Sequence, residues 1–237
     1  MGVPGLYRNI IKEYPNIHFG APNENIVISH FYLDFNPIIY NCYHEISEND
    51  NFSETMLIEK IIDKLNDMIT NIIKVTKLIY IAIDGPVPIC KMVKQRERRY
   101  KKEYLETILG KSKWDTSNIT PGTEFMDKLG KSIRVFVNTF RKEHTNLRIL
   151  FNDSYVPGEG EHKFLKHIES VKIKKDEYIC IFSNDADLLM LSNRFPEKQI
   201  LILMNSQHSV QDFKEIYEDV EFVFIDTTEF RKGLVYE

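Results

Sequence analysis

Long apolar stretches are missing from this 237-residue chain: no run approaches the roughly 18 residues that a membrane-spanning helix requires. The N-terminus, "MGVPGLYRNIIKEYP", lacks the uninterrupted apolar core of a secretory signal, and Leu6 stands where a myristoylation signal carries Ser or Thr. Cysteine is scarce. Cys42, Cys90 and Cys180 are odd in number and form no CxxC pair, which argues against a disulfide framework and against a cysteine-built zinc site. Cys180, within "YICIF", reads as plain core. A reducing compartment follows, with the cytoplasm expected and the nucleus as the alternative. Internal repeats and low-complexity linkers are also lacking, so one domain is expected over residues 1–237, either compact in itself or a fragment of a larger catalytic region.

What is present is ordinary globular material. Hydrophobic residues make up 43% and charged residues 28%, enough for one sizeable core. The net charge of −4 argues mildly against a nucleic-acid partner, but a local basic patch can coexist with an acidic site elsewhere. Six β-branched runs read as buried strands: residues 25–35, 77–84, 147–153, 178–185, 199–205 and 221–226. Helical spacing fills most of the gaps, clearest over 54–74 and 122–143, and "EISENDNFSE" (45–54) reads as a polar loop. This alternation predicts an α/β fold, a three-layer α/β/α sandwich around a mainly parallel sheet.

Acids stand at the ends of successive predicted strands. Asp34 closes "FYLDF", Asp84 closes "IAID", Glu159 and Glu161 follow the third strand in "VPGEGEHK", and Asp185 and Asp187 follow the fourth in "SNDADLL". Parallel strands gather their carboxyl ends on one edge, where open α/β folds place ligands. Residues two apart share a face only in extended chain, so Asp185 and Asp187 are expected to leave their strand before any helix starts. Gly160 relaxes the backbone between the two glutamates. Carboxylates so close raise one another's pKa values unless cations neutralise them. With no His or Cys cluster, hard divalent ions are favoured, Mg²⁺ or Mn²⁺, and a pair of them about 3.5–4 Å apart suits phosphodiester hydrolysis. Each acid taken singly could be no more than a helix cap or turn former. His162 reads as a neighbour or surface group rather than a ligand.

Beyond Asp84, residues 91–102 hold seven Lys or Arg against one Glu. Lys91, Gln95, Arg98 and Lys102 share one helical face, with Arg99 adjacent. Such a run is usually a solvated face. Starting seven residues after Asp84, however, its first turns fall near the acidic rim, where cations suit a phosphate.

In order along the chain stand "MGVP", "YLDFN", "AIDG", "QRERR", "ITPGTEFM", "VPGEGEHK" and "DADLLML". Together they closely resemble the N-terminal nuclease region of the XRN-type 5′→3′ exoribonucleases, from Met1 to about residue 230. Flap endonucleases and other PIN-like nucleases are more distantly similar. The resemblance implies a PIN-like, 5′-nuclease fold and hydrolysis of RNA bearing a 5′-monophosphate, one nucleotide at a time, with Mg²⁺ (or Mn²⁺). It implies that Asp34, Asp84, Glu159, Glu161, Asp185 and Asp187 are the catalytic, metal-binding acids. Lys91, Gln95, Arg98 and Arg99 match the 5′-phosphate pocket, which would exclude a cap or triphosphate by size. Tyr40 stands where the family stacks a histidine on the first base; its plainer reading is a core-edge aromatic. Gly2 would let the N-terminus lie close to the site.

There are departures. Pro37 replaces a usual glycine, and Val93 and Lys94 stand where polar residues are usual. The family takes a further Asp from well beyond the last DxD. Asp226, in "FVFID", reads as an ordinary strand end and is not assigned that role, so a second protein segment or chain supplying the final Asp is an implied partner. The alternatives are a catalytically incomplete module that binds RNA 5′ ends and a flap-type DNA nuclease, against which the chain offers no helix-hairpin-helix glycine motif after the DxD.

Overall fold

Alternation along the second strand sets both faces of the sheet. Phe31 and Leu33 point into one buried cluster, and Tyr32 between them points into another. Ile79 and Ile81 against Tyr80, Cys180 and Phe182 against Ile181, and Leu201 and Leu203 against Ile202 repeat the pattern. Both faces are therefore buried, which is why these segments read as near-continuous apolar runs.

The structure is a computed structural model; it describes residues 6–20, 26–109, 114–185, 187–205 and 220–235. Its strands are β1 (His18–Phe19), β2 (Val27–Asp34), β3 (Val75–Ala82), β4 (Arg148–Asn152), β5 (Glu177–Phe182), β6 (Gln199–Asn205) and β7 (Phe222–Asp226). They form one sheet in the order β1-β7-β6-β5-β2-β3-β4. β2, β3, β4, β5 and β6 are parallel, while β7 and β1 join antiparallel. The helices among the described residues are α1 (Leu6–Glu13), α2 (Asn36–Ile46), α3 (Glu54–Asp67), α4 (Ile89–Leu109), α5 (Glu124–Glu143), α6 (Gly160–Ser170), α7 (Asp187–Ser192) and α8 (Thr227–Val235). Residues of α2, α3 and α5 fill one cluster, and residues of α1, α6, α7 and α8 fill the other, giving the three expected layers.

The chain order places a crevice. From β2 the sheet grows through β3 to β4 on one side, and from β5 to β6 on the other. The switch point therefore lies between β2 and β5, and ligands of such sheets lodge outside the carboxyl ends there. Local chemistry starts the helices where they are needed. The Met56 N–H donates to Ser53 Oγ at 3.2 Å to cap α3, and the Met126 N–H donates to Thr123 Oγ1 at 3.4 Å to cap α5. Gly122, at φ 91°, makes the preceding turn, so "ITPGTEFM" works here as turn, cap and first buried helix residues. Pro37 sits in the first turn of α2, where a proline costs no hydrogen bond, so the departure there leaves the helix intact.

Two strands end earlier than the sequence predicts. β3 ends at Ala82 rather than at Asp84, and β5 at Phe182 rather than at Asp185. The acids sit beyond the ladders because side chains take over their backbone donors: the Asp84 N–H donates to Asn36 Oδ1 at 3.0 Å, and the Asp185 N–H to Ser183 Oγ at 3.1 Å. The loops after β3 and β4 then meet backbone to backbone. The Gly85 N–H donates to Gly158 O, and the Gly158 N–H to Pro86 O, each at 2.9 Å. A methyl group at Gly85 would fall 1.8 Å from Val156 O. Gly85→Ala is therefore expected to lower stability by about 2–4 kcal/mol, since a backbone oxygen cannot step aside as a flexible side chain could. Equilibrium urea unfolding checks this, and an unchanged midpoint would show that the loops do not meet so closely.

Candidate active site

Four separate chain segments bring acids to the crevice. Asp34 is the last residue of β2, and its Oδ2 accepts a 3.0 Å hydrogen bond from Ser183 Oγ, just past β5. Because Ser183 also accepts from the Asp185 backbone, one buried hydroxyl ties both sides of the switch point together. Asp84 follows β3, and its Oδ1 accepts the Gly160 N–H at 2.7 Å. Glu159 is the residue before α6, and Glu161 lies in the first turn of that helix, where the dipole tempers negative charge. A methyl group at Gly160 would lie 3.0 Å from Asp34 Oδ1 and 3.6 Å from Asp84 Oδ1. Glycine between the two glutamates thus serves close approach: its backbone sits against two other carboxylates.

The electrostatics follow from this crowding. Asp34 is raised well above the ordinary carboxylate value, first by burial and then by Asp84, with Glu161 and Asp185 adding and the Ser183 hydrogen bond opposing. Burial also raises Asp84; the Gly160 hydrogen bond opposes, Glu159 adds, and Lys163 and Lys91 oppose. Glu161 is pushed up to about 7 by burial and then by Asp185 and Glu159, against Lys91. Asp34, Asp84, Glu159, Glu161 and Asp185 therefore form one mutually repelling group.

The basic helix meets that group at its first turn. Lys91 Nζ lies 2.9 Å from Glu159 Oε1, and the neighbouring acids raise its pKa, the Glu159 hydrogen bond most. Gln95, one turn on, is half-buried, while Arg98 and Arg99 are exposed. Tyr40 is half-buried on α2; burial raises its phenol pKa, Arg98 and Arg99 lower it, and Asp84 raises it. Both guanidinium groups and an acid thus lie within electrostatic reach of this ring. Val93 and Lys94 are exposed on the same helix.

Asp187 differs from its predicted setting. α7 begins at Asp187 itself, and the Asp187 N–H donates to Asp185 Oδ1 at 3.0 Å, so Asp185 holds the helix start while it faces the acidic group. The two do not form an extended pair. Asp226 lies on the opposite margin of the sheet: β7 runs antiparallel and sets Asp226 beside Leu201 near the start of β6. There it accepts the Thr228 N–H at 2.7 Å and serves α8. Gly2 lies outside the described residues.

Three contributors, Ser183, Asn36 and Lys163, are not singled out by sequence patterns, and a fourth, His162, is read there as a neighbour rather than a ligand. Ser183 and Asn36 are ordinary polar residues whose value lies in reaching another segment. His162 is exposed, yet its Nδ1 is 3.6 Å from Glu159 Oε2 and 3.5 Å from Glu161 Oε1, so with them it makes a compact possible ligand group. Lys163 is buried and donates to the backbone oxygens of Ile83 and, at 3.1 Å, of Asp153; burial lowers its pKa to about 8. The donor set is almost wholly carboxylate oxygen, and several of its members are held above their ordinary pKa by burial and then by neighbouring acids. That combination fits hard divalent cations, whose charge relieves the repulsion.

Comparison with known proteins gives the family. Residues 1–206 match the family model described as "XRN 5'-3' exonuclease N-terminus". The chain is 35% identical over 213 residues to human 5'-3' exoribonuclease 1, covering 81% of this chain and 12% of that protein. It is 35% identical over 214 residues to 5'-3' exoribonuclease 1 of Saccharomyces cerevisiae, covering 81% and 14%. It is 31% identical over 265 residues to 5'-3' exoribonuclease 2 of Candida albicans, covering 92% and 27%. The chain thus spans at most 27% of the length of these relatives. With the family model matched over most of the chain and the acidic crevice formed by the motifs within it, this protein belongs to the XRN 5'-3' exonuclease N-terminus family.

Proposed function

We propose that residues 1–237 act as one metal-dependent nuclease domain, a 5′→3′ exoribonuclease that hydrolyses 5′-monophosphorylated RNA to nucleotides. The carrying observation is the meeting, at the switch point of the sheet, of carboxylates from four chain segments with the first turn of a cationic helix. The relatives, named 5'-3' exoribonucleases 1 and 2, supply the direction and the substrate class. No helix of the described residues is long and apolar enough to cross a membrane.

In this reading Asp34, Asp84, Glu159, Glu161, Asp185 and Asp187 hold two Mg²⁺ or Mn²⁺ ions, and the resemblance's further acid comes from another segment or chain. When bound, such ions supply Lewis-acid activation of an attacking water and stabilise charge on the leaving oxygen. The protein's own part is positioning. Ser183 and Asn36 fix the segments that carry Asp34, Asp84 and Asp185, so the acids need not reorganise as charge develops. Lys91, Gln95, Arg98 and Arg99 bind the terminal phosphate, and Tyr40 stacks on the first base. Holding the 5′ end there sets the next phosphodiester against the acids, so cleavage proceeds from that end.

The decisive experiment pairs RNAs that differ only at the 5′ end, with and without Mg²⁺ or Mn²⁺. The monophosphorylated RNA should release nucleotides only with metal, and the triphosphorylated RNA should be spared. Binding without release in every metal would favour a 5′-end binding module, and preference for branched DNA a flap-type nuclease. Replacing both Asp185 and Asp187 by Asn should lower kcat roughly 10³-fold or more with an unchanged circular dichroism spectrum. Lys91→Ala should raise KM for the monophosphorylated RNA about tenfold, with a smaller effect on kcat.

The titration of Glu161 gives a sign. In the fold its carboxyl keeps its proton to about pH 7, against 4.5 for the ordinary group. The folded state therefore holds more protons than the unfolded one between these values, and stability falls as pH rises through them. The contribution is at most roughly 3 kcal/mol. Without divalent metal, the Tm should fall between pH 5 and pH 8, and Glu161→Gln should flatten that fall. A metal-free Tm that rises with pH over this range, driven by Glu161, would contradict the repulsion described above.

A further inference from the structure

The loops that carry Asp84 and the two glutamates share one buried cation. Lys163 lies on α6, four residues past Glu159, and its ammonium group points inward. It donates to Ile83 O, one residue before Asp84, and at 3.1 Å to Asp153 O, at the head of the loop leading to Glu159. A methyl group at Gly85 would lie 3.3 Å from Lys163 Nζ, so the ammonium packs directly beneath the backbone contact between the two loops. Asp84 and Asp153 are the carboxylates that act on it. Asp153 is held from the other side by Arg134 of α5 and accepts the Tyr155 N–H at 3.0 Å. Lys163 therefore ties the end of β3 to a segment far along the chain, the loop after β4 and the α6 helix that continues it.

Main-chain acceptors make this arrangement informative. A lysine needed only to balance charge would serve by lying near a carboxylate, as Lys91 does with Glu159. Lys163 instead uses its directional donors on two carbonyl groups, which fixes backbone position rather than net charge. The same α6 turn donates the Gly160 N–H to Asp84. Movement of the 83–85 segment relative to α6 would therefore misplace Asp84 against Glu159 and Glu161, and small misplacements of reacting groups reduce rate sharply.

We infer that Lys163 is a positioning residue of this site: by hydrogen-bonding Ile83 O and Asp153 O it holds the loops bearing Asp84 and Glu159–Glu161 in one arrangement. The inference rests on the hydrolase reading for its catalytic consequence, not for its structural one. The test compares wild type, Lys163→Met, which keeps the length and the buried volume but not the donors, and Ile168→Ala, a buried change within the hydrophobic cluster on the same helix. Amide hydrogen exchange should rise about tenfold in peptides covering 83–88 and 153–160 of Lys163→Met, while β5 stays protected. In Ile168→Ala those loops should exchange as in wild type. The midpoint for Mn²⁺ binding should rise about tenfold in Lys163→Met only, and kcat on monophosphorylated RNA should fall roughly 100-fold with little change in KM. Unchanged exchange in the two loops, or an increase spread evenly over the protein, overturns the inference; so does a kcat and Mn²⁺ midpoint equal to those of the Ile168 variant. If wild type releases no nucleotide, the hydrolase reading fails, and the exchange measurement still decides the role of Lys163.

Discussion

Repulsion between carboxylates forced together is the constraint around which this molecule is arranged. Asp34, Asp84 and Glu161 are each pushed above their ordinary pKa by burial first and then by neighbouring carboxylates. Such a group is unfavourable in an isolated fold. The remaining architecture either brings the acids together or compensates for doing so. The parallel sheet supplies convergence, because its strands end on one margin. The switch between β2 and β5 supplies a crevice in which Asp34 and Asp185 stand on opposite banks.

Compensation is layered around that group. On the solvent side Lys91 pairs with Glu159, and on the interior side Lys163 approaches Asp84. Neutral donors act between them: Ser183 on Asp34 and the Gly160 backbone on Asp84. The helix dipole of α6 acts in the same direction on Glu159 and Glu161. None of these neutralises the group: the pKa values remain raised, by burial first and by neighbouring acids after it. A site that keeps residual repulsion is one that gains by receiving cations, and this links the stability of the fold to its proposed chemistry.

Much of the fold is legible in the sequence because both sheet faces are buried. Strands such as "YICIF" and "QILILM" stand out as unbroken apolar runs, and the helical spacing of 122–143 marks α5. β1 is not legible: two residues, His18 and Phe19, show no period, and their pairing to β7 is decided by contacts far along the chain. The acids are legible as a set because each follows a predicted strand. Their exact settings are not. Whether Asp187 ends a strand or begins a helix depends on a hydrogen bond to Asp185 that spacing cannot reveal. Lys163 is hidden for another reason. A lysine two residues beyond Glu161 in a polar motif looks like solvated surface, and only the fold turns it inward. Conversely, "ITPGTEFM", among the most specific strings in the chain, builds a turn and a helix cap.

The tight meeting of Gly85 with Val156 O has an evolutionary consequence. Two loops separated by some seventy residues are spliced like the halves of a joint, backbone against backbone. Neither can lengthen, shorten or gain bulk at that point unless the other changes in concert. Substitutions there should therefore enter the lineage as matched sets, and variation should collect elsewhere on the surface.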